Sequence, residues 1–156
     1  MKRQPAGENT VVSLESSAKL PFSKSRTRKI GLLILRLLRL KNCKVYFQFV
    51  TGREMKLLNR KFKGRNRATD VLAFSQVEGH YFPEIGRKTL GDIVISVDAA
   101  RRQAPLYGSS FKKELILYMI HGTLHLLGYD DEKPSKAKVM KAKENKLMRE
   151  IEERFL

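Results

Sequence analysis

The residues best suited to chemistry lie in one short stretch, His121 to Asp131, with the sequence HGTLHLLGYDD. His121 and His125 are four positions apart. On a helix both imidazoles therefore project from one face and can bind one metal ion at about 2.0–2.1 Å each. Gly128 lets the chain turn back, which brings Asp130 or Asp131 toward a third ligand position. Three protein ligands with a vacant fourth place are typical of catalytic zinc, which acidifies bound water or polarises a phosphoryl oxygen.

Two other interpretations of this stretch have to be weighed. Two histidines at this spacing also occur as ordinary polar residues on a partly exposed helix face. The glycine three residues after His125 and the acidic residue ten after His121 favour a metal site instead. Metzincin proteases have a similar spacing, but they carry a glutamate beside the first ligand as general base, and that position here is Gly122. The pattern thus argues against a peptidase.

Alternating strand and helix patterns predict the elements that position these residues. A long buried helix is expected over 110–127, with Gly128 ending it, and a basic amphipathic helix from Pro134 onward. Strands are predicted over 11–14, 43–50, 71–74 and 90–97. Helix starts are predicted at Ser25, at the capping box of Thr51 and Glu54, and at Asp98.

Together these elements predict an α/β (α+β) fold with a small mixed sheet of about four strands backed by helices. The metal site is expected at the end of the long central helix. One domain is expected over 1–156, with 1–10 as a loose tail. The order of the strands is not readable from the sequence.

Composition narrows the class of partner. The chain has 32 Lys and Arg against 16 Asp and Glu, a formal charge of +16, which predicts a polyphosphate partner such as RNA or DNA. The one cysteine, Cys43, excludes an internal disulfide and is expected to be buried. The longest apolar stretch, Ile30–Leu40, contains two arginines and falls short of the roughly 20 residues that span a bilayer. No membrane span is therefore expected. The N-terminal MKRQPAGENT is not followed by the compact apolar region of a secretory signal, so a cytoplasmic location is expected.

Several blocks of the sequence resemble one family. HGTLHLLGYDD resembles the signature HGxLHLxGYDH of the YbeY family, metal-dependent endoribonucleases of ribosomal RNA maturation and ribosome quality control. Leu58–Phe74, LNRKFKGRNRATDVLAF, resembles that family's LNxxYRxxDxPTDVLSF block. LGDIVIS at Leu90–Ser96 resembles its LGDI strand, and Met140 with Glu144 resembles its C-terminal helix. The resemblance implies cleavage of single-stranded RNA, including 3′-end processing of 16S-type RNA, with ribosomal subunits and associated GTPases as partners.

The same resemblance implies roles for particular residues. His121, His125 and Asp131 would hold one zinc ion, with Asp131 standing where the family has a third histidine. A carboxylate in that place shifts the preference modestly toward harder ions such as manganese. Lys63 stands where the family has an arginine thought to act in catalysis, so Lys63 and His121 are the expected catalytic residues. Lys63 keeps the positive charge but lacks the bidentate fork of arginine.

Other residues have weaker claims to function. Asn66, Ala68 and Ala73 also depart from the family pattern, and His80 is interpreted as an isolated loop histidine. Asp70 and Asp92 flank predicted strands, where they cap turns or act near the cleft. The candidate phosphate contacts, each of which is also an ordinary surface residue, are Lys61, Arg65, Arg67, Lys138, Lys141 and Lys146. The rival hypothesis is a non-catalytic RNA-binding ribosome-assembly factor with a weakened metal site.

Overall fold

The computed structural model describes residues 10–63, 70–76 and 88–156, apart from the side chains of Lys63 and Lys88. Several sequence-based predictions therefore lie outside the described residues. These are the loose tail except Thr10, the loop with His80, and the roles of Arg65, Arg67 and the Lys63 side chain.

Four strands form one mixed sheet, as predicted. They are β1 (Val11–Ser16), β2 (Cys43–Val50), β3 (Val71–Ser75) and β4 (Lys88–Ser96). Their order is β1-β2-β4-β3, with β1, β2 and β4 parallel and β3 antiparallel to β4. Strand β4, the last along the chain, therefore lies between β2 and β3. Local sequence patterns cannot reveal this strand order.

The helices cover both faces of this sheet. They are α1 (Lys24–Leu37), α2 (Gly52–Lys63), α3 (Val97–Gln103), α4 (Phe111–Leu126) and α5 (Pro134–Phe155), with a 3₁₀ turn over Ala104–Tyr107. Successive residues of a strand point to opposite faces. Ile93 and Ile95 accordingly join the main core with α1 and α4, whereas Val94 packs beside Met55 of α2 in a smaller cluster. Helix α4 thus lies between the sheet and α5, which packs across it.

Two predicted helix starts are wrong. Helix α1 is capped by Ser23, whose Oγ accepts from the Arg26 amide at 3.1 Å, so Ser25 lies inside the first turn. Helix α3 is capped by Ser96 because β4 ends there. Asp98 instead accepts from the Gly52 amide at 2.6 Å. It therefore provides the acceptor for a backbone amide that has no partner within the first turn of α2, a helix distant in sequence.

The capping box of α2 is confirmed. The Thr51 amide donates to Glu54 Oε2 at 3.1 Å, and the Glu54 amide donates to Thr51 Oγ1 at 3.2 Å. Cys43 is buried, as expected for a small apolar residue. Within the described ranges, every helix is too short or too polar to cross a bilayer.

Candidate metal centre and the adjoining groove

Helix α4 carries both histidines on one face. Ser110 caps its start, with Oγ accepting from the Lys113 amide at 3.2 Å. His121 and His125 then lie one turn apart near its C-terminal end, with their Nε2 atoms 3.0 Å from each other. The two rings therefore present their Nε2 atoms to a common point, as the spacing predicts.

A Schellman motif ends α4 and returns the chain toward the histidines. Gly128 has φ +94°, and its amide donates to the His125 carbonyl at 3.0 Å. The Tyr129 amide donates to the Leu124 carbonyl at 3.0 Å. Tyr129 also packs against the main core, which fixes the direction of the residues that follow.

This turn separates the two candidate aspartates. Asp131 Oδ2 lies 3.9 Å from His121 Nε2, and ligand atoms of His121, His125 and Asp131 all lie within 4.8 Å of one another. Asp130 instead accepts from the Glu132 amide at 2.6 Å and lies 3.7 Å from Lys136 Nζ. The structure thus brings Asp131 to the histidines and uses Asp130 within the turn.

Glu144 of α5 reaches the other side of the His121 ring. Its Oε1 forms a hydrogen bond with His121 Nδ1, and its side chain is only 6% exposed. Because a carboxylate accepts, Nδ1 carries the proton and the Nε2 lone pair is directed toward His125 and Asp131. Lys141 Nζ lies 3.6 Å from the second oxygen, Oε2. Glu144 is therefore a positioning residue for His121.

The electrostatics at His125 favour its neutral form. Burial lowers the pKa of His125, and the charge of the neighbouring His121 lowers it further, against the opposing effects of Asp131 and the Tyr129 backbone. Neutral imidazole is the form that binds a metal ion. Two nitrogens on the corners of a zinc tetrahedron with bonds near 2.05 Å are about 3.3 Å apart, so the observed Nε2 separation fits such an ion.

Comparison with known proteins identifies the family. A profile described as endoribonuclease YbeY matches residues 15–152, which is most of the chain. This chain belongs to the endoribonuclease YbeY family. Endoribonuclease YbeY of Desulforamulus reducens is 42% identical over 105 residues, which cover 66% of this chain and 69% of that protein. Endoribonuclease YbeY of Myxococcus xanthus is 41% identical over 115 residues, covering 72% of this chain and 38% of that longer relative.

The fold agrees with this YbeY assignment. The solution structure of TM1509 from Thermotoga maritima is similar with a TM-score of 0.64 and 26% sequence identity. The match covers 90% of this chain and 88% of that one. The predicted family, and with it membership in a family of metal-dependent endoribonuclease enzymes, is confirmed.

The structure explains why this YbeY family member has glycine beside its first histidine. Position 122 faces the sheet, where an added Cβ at Gly122 would overlap Ile93 and lie 3.0 Å from Val71 Cγ1. A glutamate there would have to displace β3 and β4, and its carboxylate would point away from the histidines. The glutamate that a metzincin requires therefore has no place at this position.

The four candidate phosphate contacts that the structure describes lie on different surfaces. Lys141 lines the groove next to His121, whereas Lys146 lies in a separate basic recess with Arg36, Arg39 and Lys143. Lys138 is exposed on α5 and lines neither. Lys61 is exposed on α2, beside the Phe62 ring. Helix spacing alone could not separate these faces, because the packing of α5 decides which lysines reach the groove.

Sequence reasoning missed two features of the site. Glu144 was noted only as part of a family resemblance, although it occupies a position in the apolar stripe of Met140, Leu147 and Ile151. A carboxylate inside a buried stripe is a readable signal, since buried charges require partners.

The second omission is Glu114, buried near the start of α4 on the wall of the same groove. Asp70 also lines this groove, whereas Asp92 lies away from it and accepts from Gln76 Nε2.

Proposed function

We propose that this chain is a single-domain, metal-dependent endoribonuclease, extending over 1–156, that cuts single-stranded RNA. The observation that carries the proposal is the convergence of two imidazoles and one carboxylate within 4.8 Å at the end of α4. The family match supports the RNA-cleaving reaction. The formal charge of +16 fits a polyphosphate substrate.

His121, His125 and Asp131 are proposed to hold one zinc ion per chain. Such an ion, when bound, supplies Lewis-acid chemistry that acidifies water or polarises a phosphoryl oxygen. Glu144 keeps the proton of His121 on Nδ1, so Nε2 remains free to ligate. The carboxylate of Asp131 also suits manganese, a harder ion.

Lys63 and His121 are the proposed catalytic residues. Lys63, at the end of α2, neutralises charge on the scissile phosphate, as its place in the family block implies. Lys141 offers a second cation at the groove. Lys61, Arg65, Arg67, Lys138 and Lys146 are proposed as weaker contacts to RNA beyond the cleavage site.

The proposed biological substrate is ribosomal RNA. We place the activity in maturation of the 3′ end of 16S-type RNA and in ribosome quality control, in the cytoplasm. Ribosomal subunits and associated GTPases are the proposed partners. These assignments rest on the family resemblance.

A cleavage assay tests the proposal directly. Metal-loaded protein is incubated with a single-stranded RNA and with the same strand in a duplex. We expect cleavage of the single strand only, loss of cleavage after chelator dialysis, and recovery on adding zinc or manganese. Cleavage that survives the chelator, or that treats both substrates equally, would contradict the proposal. Salt-sensitive RNA binding without cleavage in either metal would favour the non-catalytic assembly factor, which the Lys63 and Asp131 replacements would explain.

Glu144→Gln should weaken zinc binding by about 10- to 100-fold, because the neutral amide orients His121 less strongly than a carboxylate. Competition with a chromophoric chelator measures this change. Glu152→Gln is the matched control, since Glu152 lies on the same helix and pairs with Lys113 at 2.8 Å instead of a histidine. Equal zinc affinity in the wild type and the Glu144 variant would show that Glu144 does not position the ligand.

A further inference from the structure

The groove beside the histidines has an acidic floor that the metal centre does not explain. Glu114, Tyr118 and His121 follow one another on one face of α4, and all three line the groove. Glu114 is 6% exposed. Within the described part of the chain its side chain makes no hydrogen bond, and the charged groups that act on it are Asp70 and the more distant Lys141. Buried polar groups normally have partners, so a buried carboxyl group without one suggests a missing ligand.

Two neighbouring groups lie beside Glu114 in the groove. The Tyr118 hydroxyl is buried and interacts with the Asp70 carboxylate. Burial raises the pKa values of both Glu114 and Tyr118, and the charge of the nearby Asp70 raises them further. Glu114, Asp70 and Tyr118, here called the acidic floor, therefore form a cluster of two carboxylates and one buried hydroxyl, in which the Glu114 carboxylate accepts no hydrogen bond from a described residue.

The acidic floor is suited to neither a phosphate nor a metal ion. Five carboxylates but only three cations line the groove, in a chain with twice as many basic as acidic residues. A phosphate would be repelled from such a floor. Within the described ranges, the group of three or more metal-ligand side chains is His121, His125 and Asp131, so Glu114 and Asp70 have no third ligand. An uncharged ligand with N–H donors fits better.

An exposed aromatic ring lies at the same end of the groove. Tyr107, in the 3₁₀ turn before α4, is 75% exposed, lines the groove, and lies near enough to Tyr118 to influence its pKa. Exposed aromatic rings stack on the bases of single-stranded RNA, and neighbouring polar groups read the Watson–Crick edge. Glu114 lies seven residues before His121, about 10 Å along the helix axis, so the ligand is displaced from the metal centre.

We propose that this part of the groove is a base-recognition subsite, in which Tyr107 stacks on a nucleobase and Glu114 with Asp70 accepts hydrogen bonds from its edge. Guanine is the expected base, because its Watson–Crick edge carries adjacent N1–H and N2–H₂ donors that match a carboxylate. The subsite selects a nucleotide next to the cleaved phosphate. The inference rests on the proposed function in assigning RNA as the ligand.

Nucleoside 5′-monophosphates test the subsite without requiring cleavage. Amide chemical-shift titrations of the metal-loaded protein measure the affinity for the guanine, hypoxanthine, adenine, cytosine and uracil nucleotides. We expect the guanine nucleotide to bind about tenfold more tightly than the adenine nucleotide, with hypoxanthine intermediate, since charge-assisted hydrogen bonds are the stronger ones. Equal affinities for all five would overturn the proposal.

Variants separate base recognition from general binding. Glu114→Gln should reduce guanine nucleotide affinity about tenfold and leave adenine nucleotide affinity within about twofold. Tyr107→Ala should weaken every nucleotide about tenfold through lost stacking. Glu153→Gln, an exposed acid of α5, is the matched control and should change nothing. A Glu114 variant that keeps the wild-type guanine preference would refute the role of this residue.

The cleavage assay distinguishes this inference from the proposed function. Guanine selectivity without RNA cleavage would leave the subsite standing and remove the endonuclease proposal. RNA cleavage by a protein that binds all bases equally would refute the base-recognition subsite and support the endonuclease proposal.

Discussion

Replacing His121 with alanine should reduce metal-dependent RNA cleavage by about 10³-fold or more and release the bound metal. His121 supplies an Nε2 that lies 3.0 Å from its counterpart on His125 and 3.9 Å from Asp131 Oδ2. Its loss leaves two ligands, too few for a stable zinc site. Metal ions contribute several kcal/mol of charge stabilisation in the transition state, and about 1.4 kcal/mol corresponds to a tenfold rate. Single-turnover cleavage and metal content by plasma mass spectrometry measure both effects.

This experiment needs a folding control, because His121→Ala removes the hydrogen-bond partner of the buried Glu144 carboxylate. Among the described residues, that buried carboxylate would keep Lys141 as its one ion-pair partner, at a cost of about 1–3 kcal/mol. A pair of conservative variants avoids the problem. Asp131→Asn should lose metal and activity, whereas Asp130→Asn should keep both, because an amide oxygen can still accept from the Glu132 amide. Full cleavage by a folded His121→Ala protein, or equal behaviour of the two aspartate variants, would disprove the proposed ligand set.

Gly91→Ala should abolish stable folding or lower the free energy of unfolding by more than about 4 kcal/mol. Gly91 has φ +147°, a conformation that side chains rarely adopt. An added Cβ would also overlap the Phe74 carbonyl oxygen and lie 2.9 Å from Cδ2 of Leu126. The first obstacle is backbone of the paired strand β3, which cannot move without breaking the sheet. Urea unfolding followed by circular dichroism, together with soluble yield, measures the effect.

Gly108→Ala provides the matched comparison for that experiment. Gly108 also has positive φ, +64°, but a Cβ there would meet nothing within 4 Å. Its substitution should cost only about 1–2 kcal/mol, the backbone penalty alone. The difference between the variants reports the clashes with β3 and Leu126 together with the larger backbone penalty at φ +147°. A Gly91→Ala protein as stable as the Gly108 variant would mean that the β3–β4 pairing adjusts freely, and that Leu126 and the end of α4 do not depend on it.

Local patterns determined the parts of this protein that involve neighbours in sequence. The alternation of CKVYFQFV marked β2 at its observed limits, and the Thr51 and Glu54 capping box marked the start of α2. The apolar run ending at Gly128 indicated α4, and the four-residue spacing placed His121 and His125 on one face. These features depend on helix and strand periodicity and on hydrogen bonds within a few residues, which are already encoded locally.

Only the tertiary structure decided which distant groups meet. The spacing alone does not distinguish Asp130 from Asp131. The core packing of Tyr129 and the direction of the turn place Asp131 beside the histidines. Glu144 reaches His121 from 23 residues away because α5 packs across α4. Asp98 caps a helix that begins 46 residues earlier, and β4 pairs between two earlier strands. Such contacts follow from how whole faces bury their apolar residues together. Local sequence therefore determined the helix that carries the two histidines, while packing determined which acidic groups lie around them.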